Sequence, residues 1–143
     1  MNIWERQARI SRQLLRWAQA NIIVGILLQL TRDKLLTGVG MQASGWGWIN
    51  AGIAFFGNKA TQKRRAALPE PNAAEIINQE RGKLRRLLLL NAGLDVFYVL
   101  GGGWLAYSRG KNDRFVRGHG FGIIVQGLFL FFFDLIQAKK LDE

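Results

Sequence analysis

The stretch "GHGFGIIVQGLFLFFFDLIQA", residues 118–138, decides the fold. It begins with glycines around the chain's only histidine and becomes almost pure Leu, Ile and Phe. No charged residue occurs between 118 and 133. A run of 18 or more apolar residues reads as a membrane-spanning helix. A soluble helix of this length would carry a polar face toward water. Yet Gln126 stands in the middle of the run, and Asp134 near its end.

Working outward, three more segments have similar character. They are 14–30, "LLRWAQANIIVGILLQL"; 38–57, "GVGMQASGWGWINAGIAFFG"; and 87–107, "LLLLNAGLDVFYVLGGGWLAY". The predicted fold is all-α: a polytopic membrane protein of four transmembrane helices, arranged as two tandem helical hairpins. Its parts are an amphipathic N-terminal arm (1–13), hairpin 1 (14–57), a basic loop (58–86), hairpin 2 (87–138) and a tail (139–143). Trp17, Trp46, Trp104 and Tyr107 fall near span ends, where an aromatic belt would place them. "TRDKLL" follows the first run with no A-x-A-like site, so an uncleaved first span is expected.

Mean hydropathy over the 143 residues is only +0.03. The average hides segregation, because the 20 basic residues crowd between the apolar runs. Fourteen of them lie in 1–16, 58–86 and 139–143, and six lie in 31–37 and 108–117. The positive-inside rule then predicts cytoplasmic termini and middle loop, in a bacterial inner membrane. The net charge of +10 therefore points to anionic inner-leaflet lipids at the basic flanks. No helix-turn-helix, zinc or RNP motif supports a nucleic-acid partner. With no Cys and one His, disulfides, thiol chemistry and a His-rich metal site are excluded. No cofactor is expected.

The flanks carry their own signals. Ile3, Trp4, Ala8, Ser11 and Leu15 share one helical face, and Glu5, Arg6, Arg9, Arg12 and Arg16 another. This fits a basic amphipathic helix on the inner leaflet, or else an ordinary flank of the first span. In "PEPNAAE", Asn72 and Glu75 stand in N-cap and N3 relation and predict the start of a helix running through Ile76, Ile77 and Leu84 into the third span, with Gly82 as its weak point.

The hairpins look like copies. "GWGWINAGIAFFG" (45–57) and "GHGFGIIVQGLFLFFF" (118–133) both open G-x-G-aromatic. That match sets Asn21 against Asp95. Ala43, Gly47 and Ala51, like Gly118 and Gly122, form small-residue stripes that let helices approach closely in lipid. "GHGFG" is thus a packing seam. It has no preceding strand and is no dinucleotide fingerprint.

Several polar residues fall inside spans. Asn91, Asp95 and Tyr98 share one face of the third. At ~1.5 Å per residue, Asp95 lies roughly 12 Å deep, with Asn21 and Asn50 roughly 10 Å deep. Asn21, Asn50, Asn91, Asp95, Tyr98 and Gln126 are the candidate polar network. An ionised Asp in a span costs on the order of 2.5–3.5 kcal/mol, so Asp95 should face the bundle interior, either protonated or hydrogen-bonded to Asn21, Asn50 or Tyr98. Asp134 lies near the inner interface, where pairing with Lys139 or Lys140 is expected. His119 is the one residue that could ligate a haem or chlorophyll between its glycines; an interfacial histidine facing headgroups is the preferred reading.

The "GHGFGIIVQGLFLFFFD" run, with "WGWINAGIA" upstream, resembles small four-span bacterial membrane proteins of uncharacterised function. The resemblance implies four helices in an inner membrane and brings no activity or functional residues. Without a Ser–His pair, a carboxylate dyad at one depth or a metal cluster, catalysis is not expected. The chain reads as a non-enzymatic accessory, assembly or structural subunit of a membrane complex, with a membrane-protein partner or a second copy. The alternative is a small carrier or proton-coupled transporter built around Asp95.

Overall fold

A computed structural model describes residues 1–143. Four helices account for nearly all of them: α1 (Ile3–Gln29), α2 (Lys34–Ala67), α3 (Ala74–Tyr107) and α4 (Arg114–Lys139). A 3-10 turn, Arg109–Lys111, precedes α4, and there are no strands. The all-α expectation holds. By length and hydropathy α3 and α4 are apolar enough to cross a membrane, and α1 and α2 fall below that test.

Short side chains start three of the helices. Asn2 accepts from Trp4 N at 3.1 Å. Asp33 accepts from Leu36 N at 3.0 Å, and Asp113 from Phe115 N at 3.0 Å. Each satisfies an orphan amide of the first turn. Asn72 does not cap α3 as predicted. That helix begins at Ala74 without a side-chain cap, because the Asn72 side chain instead accepts from Asn2 Nδ2 at 3.0 Å.

The segment 58–86 is mostly not loop. "NKATQKRRAA" contains no breaker, so α2 continues to Ala67. Pro69 then forces Leu68 into extended backbone, at φ −87° and ψ 132°. Only residues 68–73 connect the hairpins. α3 passes through Gly82 without interruption.

Of the two readings of the N-terminal arm, a flank of the first helix agrees with the structure. It is the first part of a continuous α1. Ile3 and Trp4 are buried with Leu88, Ala138 and Leu141. Trp4 Nε1 donates to Pro71 O at 2.9 Å. The start of the predicted apolar face is thus covered by α3 and the C-terminal turn, while Leu15 stays exposed.

The hairpin repeat is real, but in a different register. Asp33, Gly38, Gly40 and Gly47 each have a matching residue 80 positions later: Asp113, Gly118, Gly120 and Gly127. Their contacts match as well. A Cβ on Gly40 would lie 2.6 Å from Gly25 O, and one on Gly120 would lie 2.7 Å from Gly102 O. Gly47 faces Ala18 O, and Gly127 faces Asp95 O. In the first helix of each hairpin the offset is therefore 77, so Asn21 corresponds to Tyr98 and Asp95 to Ala18. Matching on G-x-G-aromatic strings misaligned the copies.

The hairpins meet through α2 and α4, which run parallel. Gly38 abuts Phe115 O, and Gly118 abuts Leu35 O; Leu35 and Phe115 are again 80 apart. The two contacts are equivalent under a two-fold axis along the bundle. No Cβ fits in either place, which makes this the tightest crossing in the protein. The expected packing seam is here.

Candidate functional site

The bundle interior is polar where a soluble core would be apolar. Asn21, Asn50, Asp95, Gln126 and Asp134 are all buried. Gln126 Nε2 donates to Asn21 Oδ1 across α4 and α1. Asn21 Nδ2 donates to Trp17 O at 2.8 Å, one turn back. Trp17 in turn stacks on Phe129, with ring centroids 3.6 Å apart.

The rest of the predicted network does not close. Asp95 Oδ2, Asn50 Nδ2 and Gln126 Oε1 are buried without any partner. Asp95 makes no hydrogen bond to Asn21, Asn50 or Tyr98, because α3 sits beside α4 and not against α1. Tyr98 is partly exposed and meets the edge of Trp46 at 5.1 Å. That contact is the symmetry equivalent of Asn21 with Gln126, with aromatic rings in place of amides.

Asp134 departs furthest from expectation. It is 7% exposed and forms no ion pair. Lys139 and Lys140 are exposed on other faces of the chain end; five residues along a helix is about 140° of rotation, so they turn away. The equivalents of Asp134 and Asp95 in hairpin 1 are Ala54 and Ala18, both buried. The packing of a hairpin thus needs only small residues there, and the carboxylates are additional to it.

Asp134 lines a cavity of about 450 Å³ bounded by all four helices. Asn91 lines it too, and its walls include Leu14, Ile53, Leu87 and Phe133. Along α3 the lining runs from Asn91 back to Glu80, about 16 Å. Glu80 is 5% exposed. It accepts from Gln7 Nε2 and Arg64 Nη2, each at 3.3 Å, and from Lys83 Nζ at 3.4 Å. Thr61 Oγ1 donates to Gln7 Oε1 at 2.8 Å. Burial pushes the Glu80 carboxyl up. The Gln7 hydrogen bond, the Arg64 charge and the Lys83 contact together outweigh it and hold the group below its usual value.

Sequence reasoning missed Glu80 and Gln7. The available signal was a single acid inside "NQERGKLRR", three residues before a lysine.

His119 is not a free interfacial residue. Its Nδ1 lies 2.9 Å from Gln42 Nε2, and its ring meets Phe115 edge-on at 4.5 Å. Leu35 O fills the space beside Gly118, and Ala106 and Gly102 that beside Gly120. The glycines flanking His119 thus pack against neighbouring helices and leave no open space of their own. At the same end of the bundle Asp33 pairs with Arg114 at 3.1 Å. The Leu36 amide, followed by Arg114, holds its carboxyl below the ordinary range despite some desolvation.

The profile of a protein family of unknown function matches residues 13–135, which include both hairpin cores. No curated protein and no solved structure matches the chain.

Proposed function

The chain belongs to DUF6992, a family of unknown function, and we propose that it is a four-span integral membrane protein that works by binding and not by catalysis, as an accessory, assembly or structural subunit of a membrane complex. One observation carries this reading: the bundle's polarity is inside out. Leu27, Phe56, Leu90, Phe97 and Phe132 are all more than half exposed, on four different helices, while Asn50, Asp95, Gln126 and Asp134 are buried. In water such a surface would aggregate. In a bilayer it meets lipid, and polar groups belong in the interior. The basic residues at the end that carries both termini support a cytoplasmic location for that end of an inner-membrane protein.

The absence of cysteine makes the topology directly testable. Lys63→Cys and Lys111→Cys should be labelled from opposite sides of sealed vesicles by an impermeant maleimide. Labelling from one side, or release of the chain by alkaline carbonate, would overturn the four-span reading. For the subunit role, purification in mild detergent should retain a stoichiometric membrane-protein partner or a second copy. A clean monomer whose stability depends on a small ligand would count against it.

A second reading, a small carrier or proton-coupled transporter, is favoured by the carboxylates of hairpin 2. Asp134 lines the cavity and forms no ion pair, Asp95 is buried on α3, and both stand where hairpin 1 has alanines. Parallel repeats related by an axis along the membrane normal are one architecture of transporters. Asp95→Asn and Asp134→Asn test this reading in proteoliposomes. Unchanged proton flux in folded variants of both would remove it.

A further inference from the structure

A second feature lies on the α1–α4 flank, away from the cavity. Arg9, Arg12, Gln13 and Arg16 line a pocket of about 260 Å³ that contains no apolar residue. Gln13 also lines an open groove of about 480 Å³ with Leu128, Phe129, Phe132, Phe133, Ile136 and Gln137. The two features share a wall. At that junction Gln13 Oε1 accepts from Gln137 Nε2 at 2.8 Å, tying α1 to α4.

The arginines lack a counter-charge. The four ion pairs of the protein use Arg64, Lys83, Arg85 and Arg114. Arg9, Arg12 and Arg16 are exposed and pair with nothing. Guanidinium groups bind phosphate by paired hydrogen bonds and suit this chemistry better than lysine would. From Gln137 to Leu128 the groove follows α4 for nine residues, about 14 Å. That is close to half of a bilayer's hydrocarbon core of about 30 Å. The groove is therefore as long as one leaflet is deep, with the positive pocket at its headgroup end.

We propose that this composite site holds one anionic phospholipid of the inner leaflet. The phosphate sits among Arg9, Arg12 and Arg16, and one acyl chain runs along the groove past Phe132 and Phe129. The site rests on the membrane reading above but does not follow from it. General attraction of basic flanks to anionic lipid needs neither a groove nor these arginines in particular.

The test is native mass spectrometry of the full chain after reconstitution in equal amounts of phosphatidylglycerol and phosphatidylcholine. The wild type should retain one phosphatidylglycerol in preference. An Arg9→Gln, Arg12→Gln, Arg16→Gln variant should lose that preference by about tenfold, since it removes all the guanidinium–phosphate bonds. A Lys59→Gln, Lys63→Gln, Arg65→Gln control, equal in charge, should keep it. Ile136→Ser should shorten retention of either lipid. Equal retention of the two lipids by the wild type would overturn the site, and so would an equal loss in the control. So would capture of an acidic protein, with no lipid, by the same arginines. Alkaline carbonate extraction separates the two failures. A chain that stays in the membrane without lipid preference loses only the site; a chain that is released loses the membrane reading and the site with it.

Discussion

Ala54 and Asp134 occupy the same place in the two hairpins, 80 positions apart. Alanine packs fully there in one copy, so the carboxyl in the other copy is not a packing requirement. Asp134→Ala should therefore fold, and thermal unfolding in detergent should show equal or higher stability. Asp134 takes part in none of the protein's ion pairs, so its loss breaks no charge contact. Failure of this variant to assemble would make Asp134 structural.

The α2–α4 crossing makes a sharper prediction. Gly118→Ala places a methyl against Leu35 O and should cost about 1–3 kcal/mol, the usual range for overpacking. Gly45 and Gly52 have nothing near enough to clash. Gly45→Ala should be neutral or gain up to about 1 kcal/mol from helix propensity. Equal melting temperatures for the Gly118 and Gly45 variants would refute the packing argument.

Gln126 and Asn21 should be energetically coupled. Interhelical hydrogen bonds in membrane proteins average about 0.6 kcal/mol and reach about 1.7 kcal/mol in double-mutant cycles. This pair is buried, so a value in the upper half of that range is expected from Asn21→Leu, Gln126→Leu and the double variant. Strict additivity would show that the bond contributes nothing.

Glu80 predicts an acid transition. Its folded pKa lies below the ordinary 4.5, so the folded state binds the proton more weakly than the unfolded chain does. The contribution of Glu80 is then complete above that ordinary value and is lost as pH falls through the lower folded one. Glu80→Gln should be less stable than wild type at neutral pH, and the two should converge as pH falls below the ordinary 4.5 and through the lower folded value. Parallel curves down to pH 3 would show that Gln7, Arg64 and Lys83 do not hold the carboxylate.

Helix number and the polar interior were legible in the residues, because apolar periodicity and the cost of burying Asn, Gln and Asp are local matters. Gln126 and Asn21 were singled out as buried, and they bond to each other. What was not legible depended on rotation and register between helices. Asp134 looked interfacial because Lys139 and Lys140 are near in sequence, but helix rotation turns them away. Asn72 looked like a cap because nothing in the sequence reveals Asn2 as its competitor. The repeat was visible in principle through Asp33 and Asp113 with their glycines at equal spacing, but conspicuous aromatic strings drew the alignment elsewhere.

The connection at residues 68–73 bears on how such a chain arises. A hairpin returns to the end from which it started, so a second copy joined by six residues points the same way as the first. Tandem duplication of one helical pair needs no inversion step. The older contact would then be the crossing of Gly38 with Gly118: what is now an intramolecular seam has the geometry of a dimer interface between two identical small proteins.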